Sequence, residues 1–142
     1  MQNFEGKNVI SGTHGEAWVD DHYLAEIISL KATYTLDKSE VKRVKKIAKS
    51  YKVTGATGKG SIKLHKVDSF FTKSMADVIK SGRQPVFTFT SKLNDPDSAG
   101  EERIVIRDAT LDTLNLIDWE AGKLGEESYN FTFSDFEILQ LI

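Results

Sequence analysis

Residues 85–90 read Pro85-Val86-Phe87-Thr88-Phe89-Thr90, a stretch in which Phe and Thr alternate behind a proline. Successive side chains of a β-strand point to opposite faces, so this stretch predicts a strand with one aromatic face and one hydroxyl face. Proline is tolerated as the first residue of a strand. The same two-residue period recurs along most of the chain, and it predicts a mainly β fold.

Further stretches share this alternation or the β-branched and aromatic composition that strands favour. They are residues 16–19, 23–36, 61–65, 102–107, 109–117 and 129–133. The turn residues Asp20 and Asp21 separate the first two stretches, which predicts a hairpin. In the last stretch, Tyr129, Phe131 and Phe133 form one aromatic stripe.

One segment has the spacing of a helix instead. Its apolar residues fall at i, i+4, i+7 and i+8, namely Phe71, Met75, Val78 and Ile79. This stripe predicts an amphipathic helix over about residues 68–81. Gly82 follows at the position where a helix often ends in a left-handed residue.

The longest connection runs from about residue 37 to residue 60. Structureless connections of this length are uncommon in compact domains unless they are functional, so we expect an arm-like loop here. Its last part, Gly55-Ala56-Thr57-Gly58-Lys59-Gly60, is typical of a flexible loop or hinge. A phosphate-binding loop is excluded, because Val53 stands where the first glycine is needed and Gly60 follows Lys59.

Charge is divided by position along the chain. Residues 1–93 carry 16 Lys/Arg and 9 Asp/Glu, whereas residues 94–142 carry 3 Lys/Arg and 12 Asp/Glu. The basic side is concentrated in one run, which comprises Lys38, Lys42, Arg43, Lys45, Lys46, Lys49 and Lys52. Such a chain can attract copies of itself head to tail, or it can bind nucleic acid at its basic pole. Charge alone leaves both possibilities open.

The bulk properties are those of one globular domain. The chain has 142 residues, of which 39% are hydrophobic and 28% charged, which is enough for a real core. It has no cysteine, which excludes a disulfide framework, a thiolate metal site and a cysteine nucleophile. The sequence shows no secretory signal and no apolar run long enough to span a bilayer.

The sequence contains no recognisable catalytic or metal-binding motif. His14, His22 and His65 form no metal-binding motif, and no nucleophile elbow is present. The acidic loop at residues 95–100 fails as a calcium site, because Ala99 occupies a ligand position. We therefore expect no catalytic, cofactor-binding or metal-binding residues. A nucleic-acid-binding module that uses the basic segment 38–52 remains an alternative, although Tyr51 is the only aromatic residue there for stacking.

Several strings in order resemble the tail tube proteins of contractile phage tails, in particular the PBSX-like group of defective prophages. They begin with Ser11-Gly12-Thr13-His14-Gly15-Glu16-Ala17-Trp18-Val19-Asp20, Leu24-Ala25-Glu26-Ile27, Tyr51-Lys52-Val53-Thr54-Gly55 and Gly58-Lys59-Gly60-Ser61. They continue with Leu64-His65-Lys66-Val67-Asp68-Ser69, Pro85-Val86-Phe87-Thr88 and Glu102-Arg103-Ile104-Val105-Ile106. The last are Leu124-Gly125-Glu126-Glu127 and Phe131-Thr132-Phe133-Ser134-Asp135-Phe136-Glu137. The resemblance runs from about residue 11 to residue 136.

The resemblance implies a single tail-tube domain over residues 1–142, with residues 1–12 as a flexible segment. Its fold would be two packed β-sheets forming a sandwich or partial barrel with one flanking helix. Six copies would form a ring whose inner sheets join into one barrel, and rings would stack into a tube around a lumen for the passage of DNA or an effector. The family works by assembly and has no catalytic residues. Implied partners are the chain itself, the sheath, the baseplate or initiator, and the tape-measure protein, first in the bacterial cytoplasm and then in the particle.

The charge division then becomes a hypothesis about a subunit interface. We expect the basic residues of the arm to meet acids of an adjacent subunit. The predicted residues are Lys42, Arg43, Lys45, Lys46 and Lys49 on one side, and Asp118, Glu120, Glu126 and Glu127 on the other. Some acids would instead line the bore, where they would let DNA slide without sticking.

Overall fold

A computed structural model describes residues 4–142 of the chain, and these residues form eight strands and one α-helix. The elements are β1 (Gly15–Val19), β2 (His22–Tyr23), β3 (Ile27–Val41), β4 (Ser50–His65), α1 (Phe70–Lys80), β5 (Phe87–Leu93), β6 (Glu102–Leu111), β7 (Glu126–Phe133) and β8 (Asp135–Gln140), with short 3-10 turns at Gly6–Asn8 and Gly12–His14. The predicted mainly β fold with a single long helix is confirmed. Within the described residues, no helix is long and apolar enough to cross a membrane.

All eight strands belong to one antiparallel sheet in the order β2-β1-β5-β6-β7-β4-β3, and β8 pairs with β6. The first part of β6 pairs with β5 and β8, whereas Thr110 and Leu111 at its end pair with β7. Asp108 has a positive φ of 58° at this change of partner, and Ser134 donates a hydrogen bond to its carboxylate. The sheet therefore folds over at β6, so the predicted two layers are two parts of one sheet.

The core lies between these two parts of the sheet. Phe89 of β5 faces Phe131 of β7, with ring centroids 4.8 Å apart. The helix α1 closes one side of the core through Phe71 and Met75, and Phe71 lies 5.0 Å from the ring of Tyr129. Aromatic pairs at such distances add to the free energy gained by burying their apolar area.

Both the start and the end of α1 carry the capping residues that the sequence predicts. Ser69 is the residue before the first turn, and the Asp68 carboxylate accepts a hydrogen bond from the backbone N–H of Phe70 at 3.2 Å. Gly82 follows the helix with a φ of 81°, the left-handed conformation that glycine adopts without steric cost.

The segment predicted as an arm-like loop over residues 37–60 is a β-hairpin. The strands β3 and β4 pair from Ile27↔Leu64 as far as Val41↔Ser50, and only residues 42–49 form the turn. The glycine-rich part is not a hinge either. Gly58 lies on the core face of β4, where an added Cβ would be 2.6 Å from Cε2 of Phe133. Glycine is thus needed here to admit the aromatic ring.

Two other predicted boundaries are wrong. The strand predicted over residues 109–117 ends at Leu111, and residues 112–125 form a loop. The strand predicted over residues 23–36 is broken after Tyr23. The residues up to Tyr23 pair with β1, whereas β3 pairs with β4 in the other part of the sheet. In the predicted N-terminal segment, residues 1–3 lie outside the described part of the chain, and the Ser11 N–H donates to the Asp95 carboxylate at 2.8 Å.

Candidate assembly surfaces

The hairpin of β3 and β4 extends well beyond the rest of the sheet. The last pair that β4 makes with β7 is Gly58↔Phe133, whereas β4 itself begins at Ser50. We call the part of the hairpin beyond this pair, residues 35–57, the arm. Its residues are exposed apart from the half-buried Ser50, so the fold of one chain leaves both faces of the arm without a covering layer.

The predicted basic residues are brought together at the end of the arm. Lys42, Arg43, Lys45, Lys46 and Lys49 all lie in the turn at residues 42–49 and are exposed. The turn is shaped by Lys45, which has a φ of 60°, and by Arg43, whose guanidinium donates to the Ala48 carbonyl at 3.4 Å. The arm therefore presents a concentrated positive charge at its tip.

One face of the arm carries a row of apolar side chains from both strands, and Lys38 and Glu40 of β3 lie on the same face. In register, Tyr34 pairs with Gly58 and Leu36 pairs with Ala56, so these side chains continue the core face of the sheet. Past the bulge between Asp37 and Lys38, the register places the side chains of Val53 and Tyr51 on the same face as Leu36. We call these three arm residues, Leu36, Tyr51 and Val53, together with Tyr34 at the base of the arm, the apolar stripe, and each of the four is exposed by at least 43%.

The predicted acidic residues differ from one another in their surroundings. Asp118 and Glu120 lie in the exposed loop 112–125, where Glu120 approaches Lys123 at 3.1 Å. Glu126 begins β7 and is exposed, with an oxygen 3.3 Å from Lys63 Nζ. Glu127 is buried and bonded to Lys66 Nζ at 2.6 Å. Glu127 is thus engaged inside its own chain, and the other three acids form the accessible negative surface.

The basic tip and the acidic surface lie at opposite ends of the same strand. The tip adjoins Ser50, the first residue of β4, whereas Glu126 pairs with His65, the last residue of β4. At about 3.3 Å per residue, the 16 residues of β4 separate these ends by about 50 Å. The two surfaces therefore cannot meet within one chain, and a contact between them requires a second molecule.

The outer face of one part of the sheet is polar from Ser29 to Asp37 of β3 and across the strands paired with this stretch. Buried residues such as Ile62, Leu64 and Phe131 fix the inner face of β4 and β7, so the alternate residues of these strands and their partners point outward. We call these outward register positions the polar face; they are Ser29, Lys31, Thr33, Thr35, Asp37, Thr57, Lys59, Ser61, Lys63, His65, Thr110, Asp112, Glu126, Ser128, Asn130 and Thr132. None of these positions carries an apolar side chain. Most of the other positions are serine or threonine, so the face is rich in hydroxyl groups. Its three lysines are equal in number to its three carboxylates, so it is nearly neutral.

The outer face of the other part of the sheet has a different character. The rings of Trp18 and Tyr23 contact each other there in a tilted arrangement, with centroids 5.3 Å apart, and Val105 is exposed by only 7%. Long charged side chains surround them, including an ion pair between Arg107 and Glu137. The two outer faces are thus chemically distinct, and only one of them has no apolar side chain, aromatic or aliphatic, at its defined positions.

Among residues 4–142, Asp95 and Tyr129 have shifted pKa values, and both lie away from these surfaces. The pKa of Asp95 is held below 3.8, chiefly by the backbone N–H of Ser11 and then by that of Asp97. Burial, and to a smaller degree the Glu127 carboxylate, raises the pKa of Tyr129 to about 12. His14 Nε2 lies 3.9 Å from the Asp95 carboxylate and lowers its pKa to a smaller degree.

One group of side chains that the sequence did not associate has the composition of a cation site. The ligand atoms of His22, Glu26 and Asp68 lie within 4.8 Å of one another. The His22 ring stacks on Phe70 at 4.1 Å, and the Asp68 carboxylate already binds the Phe70 N–H at the start of α1. The contacts of His22 and Asp68 serve the packing of α1, and the spacing of the three residues gives no sequence signal.

Sequence reasoning found the charges at both ends of the molecule but missed the apolar stripe and the polar face. Both depend on which residues of separate strands share a face. The stripe combines residues of β3 and β4 across a bulge, and the polar face combines four strands. The exposed apolar residues of the loop 112–125 were missed as well, because Leu114 and Leu116 alternate as in a strand. In the structure Leu114 packs against the core, whereas Leu116 is exposed.

Comparison with known proteins gives a consistent result. Residues 2–140 match the family described as phage tail tube protein. The chain is 34% identical over 137 residues to the phage-like element PBSX protein XkdM of Bacillus subtilis strain 168, covering 94% of this chain and 92% of that protein.

Solved structures share the fold. One chain of the sheath–tube complex of an extracellular contractile injection system in its extended state superposes with a TM-score of 0.69. Its identity is 10%, with 93% of this chain and 92% of that chain covered. A chain of the six-fold symmetrised baseplate of the anti-feeding prophage gives a TM-score of 0.64 at 12% identity, covering 88% and 90%.

Proposed function

Because this chain belongs to the phage tail tube family and is a structural subunit of a tail tube, we propose that it assembles into stacked hexameric rings whose bore is lined by the polar face. The single observation that carries this proposal is the contrast between the two outer faces of the sheet. A lumen must be wet and free of adhesive apolar patches, and the sixteen positions of the polar face meet this requirement.

Strand edges support the ring arrangement. The strand β3 is 15 residues long and forms one end of the strand order, so its outer edge has no partner strand in the described chain. Long unpaired edges invite pairing with another chain, and closed barrels remove them. In the proposed ring, β3 of one copy lies beside the sheet of its neighbour, and the four strands with the polar face close around the lumen.

Charge supports a head-to-tail arrangement. A contact between different surfaces of identical copies closes into a ring or continues as a filament. The proposed contact joins the basic tip to the accessible acids of the next copy, in which Asp118 and Glu120 take part, together with Glu126 at the edge of the polar face where β7 begins. Glu127 holds Lys66 inside its own chain and contributes only to the local field. Complementary patches of this kind fix register and orientation more than affinity.

The remaining partners follow from the place of a tube in a tail. The subunit would be made and assembled in the bacterial cytoplasm and would end in the tail of a phage or phage-like particle. Sheath, baseplate or initiator, and tape-measure proteins would contact it there. The outer face with Trp18, Tyr23 and the Arg107–Glu137 pair is the surface we assign to the sheath side, with DNA passing through the bore as cargo.

Electron microscopy of the purified chain tests the proposal. At high concentration and moderate salt we expect rings with six-fold class averages, or tubes built from them. Long incubation and a seed of preformed ends control for slow initiation. A chain that stays monomeric at every concentration and salt, with and without seeds, would contradict the proposal.

Charge reversal distinguishes assembly from nucleic-acid binding. We expect a variant with Lys42, Arg43, Lys45, Lys46 and Lys49 all changed to Glu to lose assembly, and a mixture with a variant carrying Lys at Asp118, Glu120 and Glu126 to regain it. If the reversed arm still assembles but loses DNA binding, the arm serves nucleic acid. Such binding would weaken by about one log unit of affinity per log unit of salt for each phosphate neutralised.

A further inference from the structure

The arm carries an apolar stripe that its own fold leaves uncovered. Tyr34 reaches back to the core through Phe133 and Phe136, whose ring centroids lie 6.1 Å and 5.1 Å from its own. Beyond Tyr34 the stripe continues through Leu36, Val53 and Tyr51, which are exposed by 49%, 49% and 58%. A stripe this long on one face of an isolated hairpin would cost solubility without a partner, so it indicates an interface.

A second uncovered apolar group lies in the loop 112–125. Leu116, Ile117 and Trp119 are exposed by 73%, 82% and 82%. Trp119 stands between Asp118 and Glu120, so the apolar group is bordered by negative charge. The stripe, by contrast, is bordered by the positive charge of the basic tip. The loop and the stripe are therefore complementary, because both are apolar and their bordering charges are opposite in sign.

We propose that Trp119, with Leu116 and Ile117, packs onto the apolar stripe of the arm of a second copy. This inference rests on the proposed tube function and names the side chains that provide its binding energy. The stripe runs from Tyr51 to the level of Gly58 on β4, and at about 3.3 Å per residue it lies about 23–46 Å from His65, at the end of β4 where Glu126 closes the loop 112–125. The contact is therefore between copies. Buried aromatic anchors surrounded by polar pairs are the usual source of interface energy.

The opposite face of the arm excludes the reverse orientation. Thr33, Thr35 and Asp37, with Thr57 across the hairpin, belong to the polar face and continue the surface assigned to the lumen. The second copy therefore covers the arm from the side away from the bore. One amphipathic hairpin thus serves both requirements of a tube wall, a wet inner side and an adhesive outer side.

Cross-linking in the assembled state tests the contact. Because the chain has no native cysteine, only the introduced thiols can react. Glu40→Cys lies on the stripe side of the arm, because Glu40 pairs with Tyr51. Ala121→Cys lies in the loop beside Trp119, and Gln140→Cys at the end of β8 probes the exposed C-terminal residues as another occupant. Single-cysteine variants are mixed pairwise, assembled with unlabelled protein, and treated with a short bismaleimide.

We expect a cross-linked dimer from the Glu40→Cys and Ala121→Cys mixture and none from Glu40→Cys with Gln140→Cys. Trp119→Ser should raise the protein concentration needed for assembly about ten-fold or more, whereas the control Val86→Ser, at an exposed valine elsewhere, should not. Tubes that form without the first cross-link, or with the second in its place, overturn this contact and leave the tube function standing. Failure of the wild-type chain to assemble overturns both.

Discussion

Gly58 of β4 lies directly against Phe133 of β7, so close that a Cβ on Gly58 would be 2.6 Å from both the ring Cε2 and the carbonyl oxygen of Phe133. The two residues are register partners at the point where the arm leaves the body of the sheet. This contact decides where β4 can lie on the core, and it is the reason that a glycine-rich stretch forms a strand.

Replacing Gly58 with alanine should therefore destabilise the fold. The new methyl group meets backbone as well as side chain, and such overpacking costs about 1–3 kcal/mol. Gly55→Ala is the matched control, because its Cβ would meet only the flexible Asp37 side chain at 3.3 Å. Urea unfolding of the two variants checks this. Equal stability of both would contradict the packing described for Phe133.

Removing Lys66 should leave a buried charge without its partner. Lys66 Nζ lies 2.6 Å from Glu127 Oε1, and the Glu127 side chain is only 7% exposed. Breaking a buried pair costs about 3–5 kcal/mol, and Lys66→Met should fall at the lower end because Lys66 itself is partly exposed. The control Lys63→Met removes the exposed pair with Glu126, which is worth about 0–1 kcal/mol. Thermal unfolding of the two variants in parallel decides between a structural and a surface role for Glu127.

Asp95 should make the free energy of unfolding decrease as the pH falls into the acidic range. Its carboxylate accepts backbone N–H groups from Ser11 at 2.8 Å and Asp97 at 2.9 Å, which hold its pKa below the ordinary 3.8. The folded state thus prefers the ionised form, and this contribution is complete above pH 3.8 and lost as the pH falls through the lower folded pKa. Denaturant unfolding of wild type and Asp95→Asn should differ at neutral pH and converge in acid. A gap that widens in acid would show the opposite sign.

Tyr129 should make the stability of the chain fall as the pH rises into the alkaline range. Burial, with a smaller effect from Glu127, raises its pKa from 10.0 to about 12, so the unfolded chain ionises first and stability falls between these pH values. The Tyr129 hydroxyl also has no hydrogen-bond partner among the described residues. Tyr129→Phe should therefore be neutral or stabilising by up to about 1 kcal/mol, and should lose less stability above pH 10. Fluorescence-monitored unfolding at pH 8 and pH 11 checks this, and a strongly destabilised variant would show that the hydroxyl is bonded after all.

The sequence predicted the elements whose own periodicity is complete. The alternation of Phe87 and Phe89 with threonine, and the i, i+4, i+7 spacing of α1, depend only on neighbours along the chain. The arm was missed as a hairpin because glycine and charged residues dilute its alternation and a bulge at Asp37 shifts the period. The loop 112–125 was partly misassigned because alternation at Leu114 and Leu116 has no partner strand to complete it.

The candidate surfaces were predictable only as charge. Lys42 and Asp118 could be assigned to opposite poles from composition, because charge sums along the chain. The polar face could not, because Lys31, Ser61 and Asn130 become neighbours only once the register of three strands is known. The same holds for Tyr34 and Tyr51 in the apolar stripe, which belong to different strands and share a face only because of the bulge between them.

The orientation of the polar face in the assembled tube is the central claim, and thiol protection measures it most directly. Asn130→Cys places a thiol on the polar face, and Glu137→Cys places one on the opposite outer face; both positions are exposed in the single chain. The reagent is a polyethylene-glycol maleimide too large to enter the bore. We predict that both variants react equally as monomers, and that in tubes the Asn130→Cys thiol becomes protected while the Glu137→Cys thiol still reacts. Tubes in which Asn130→Cys reacts freely and Glu137→Cys is protected would contradict the account.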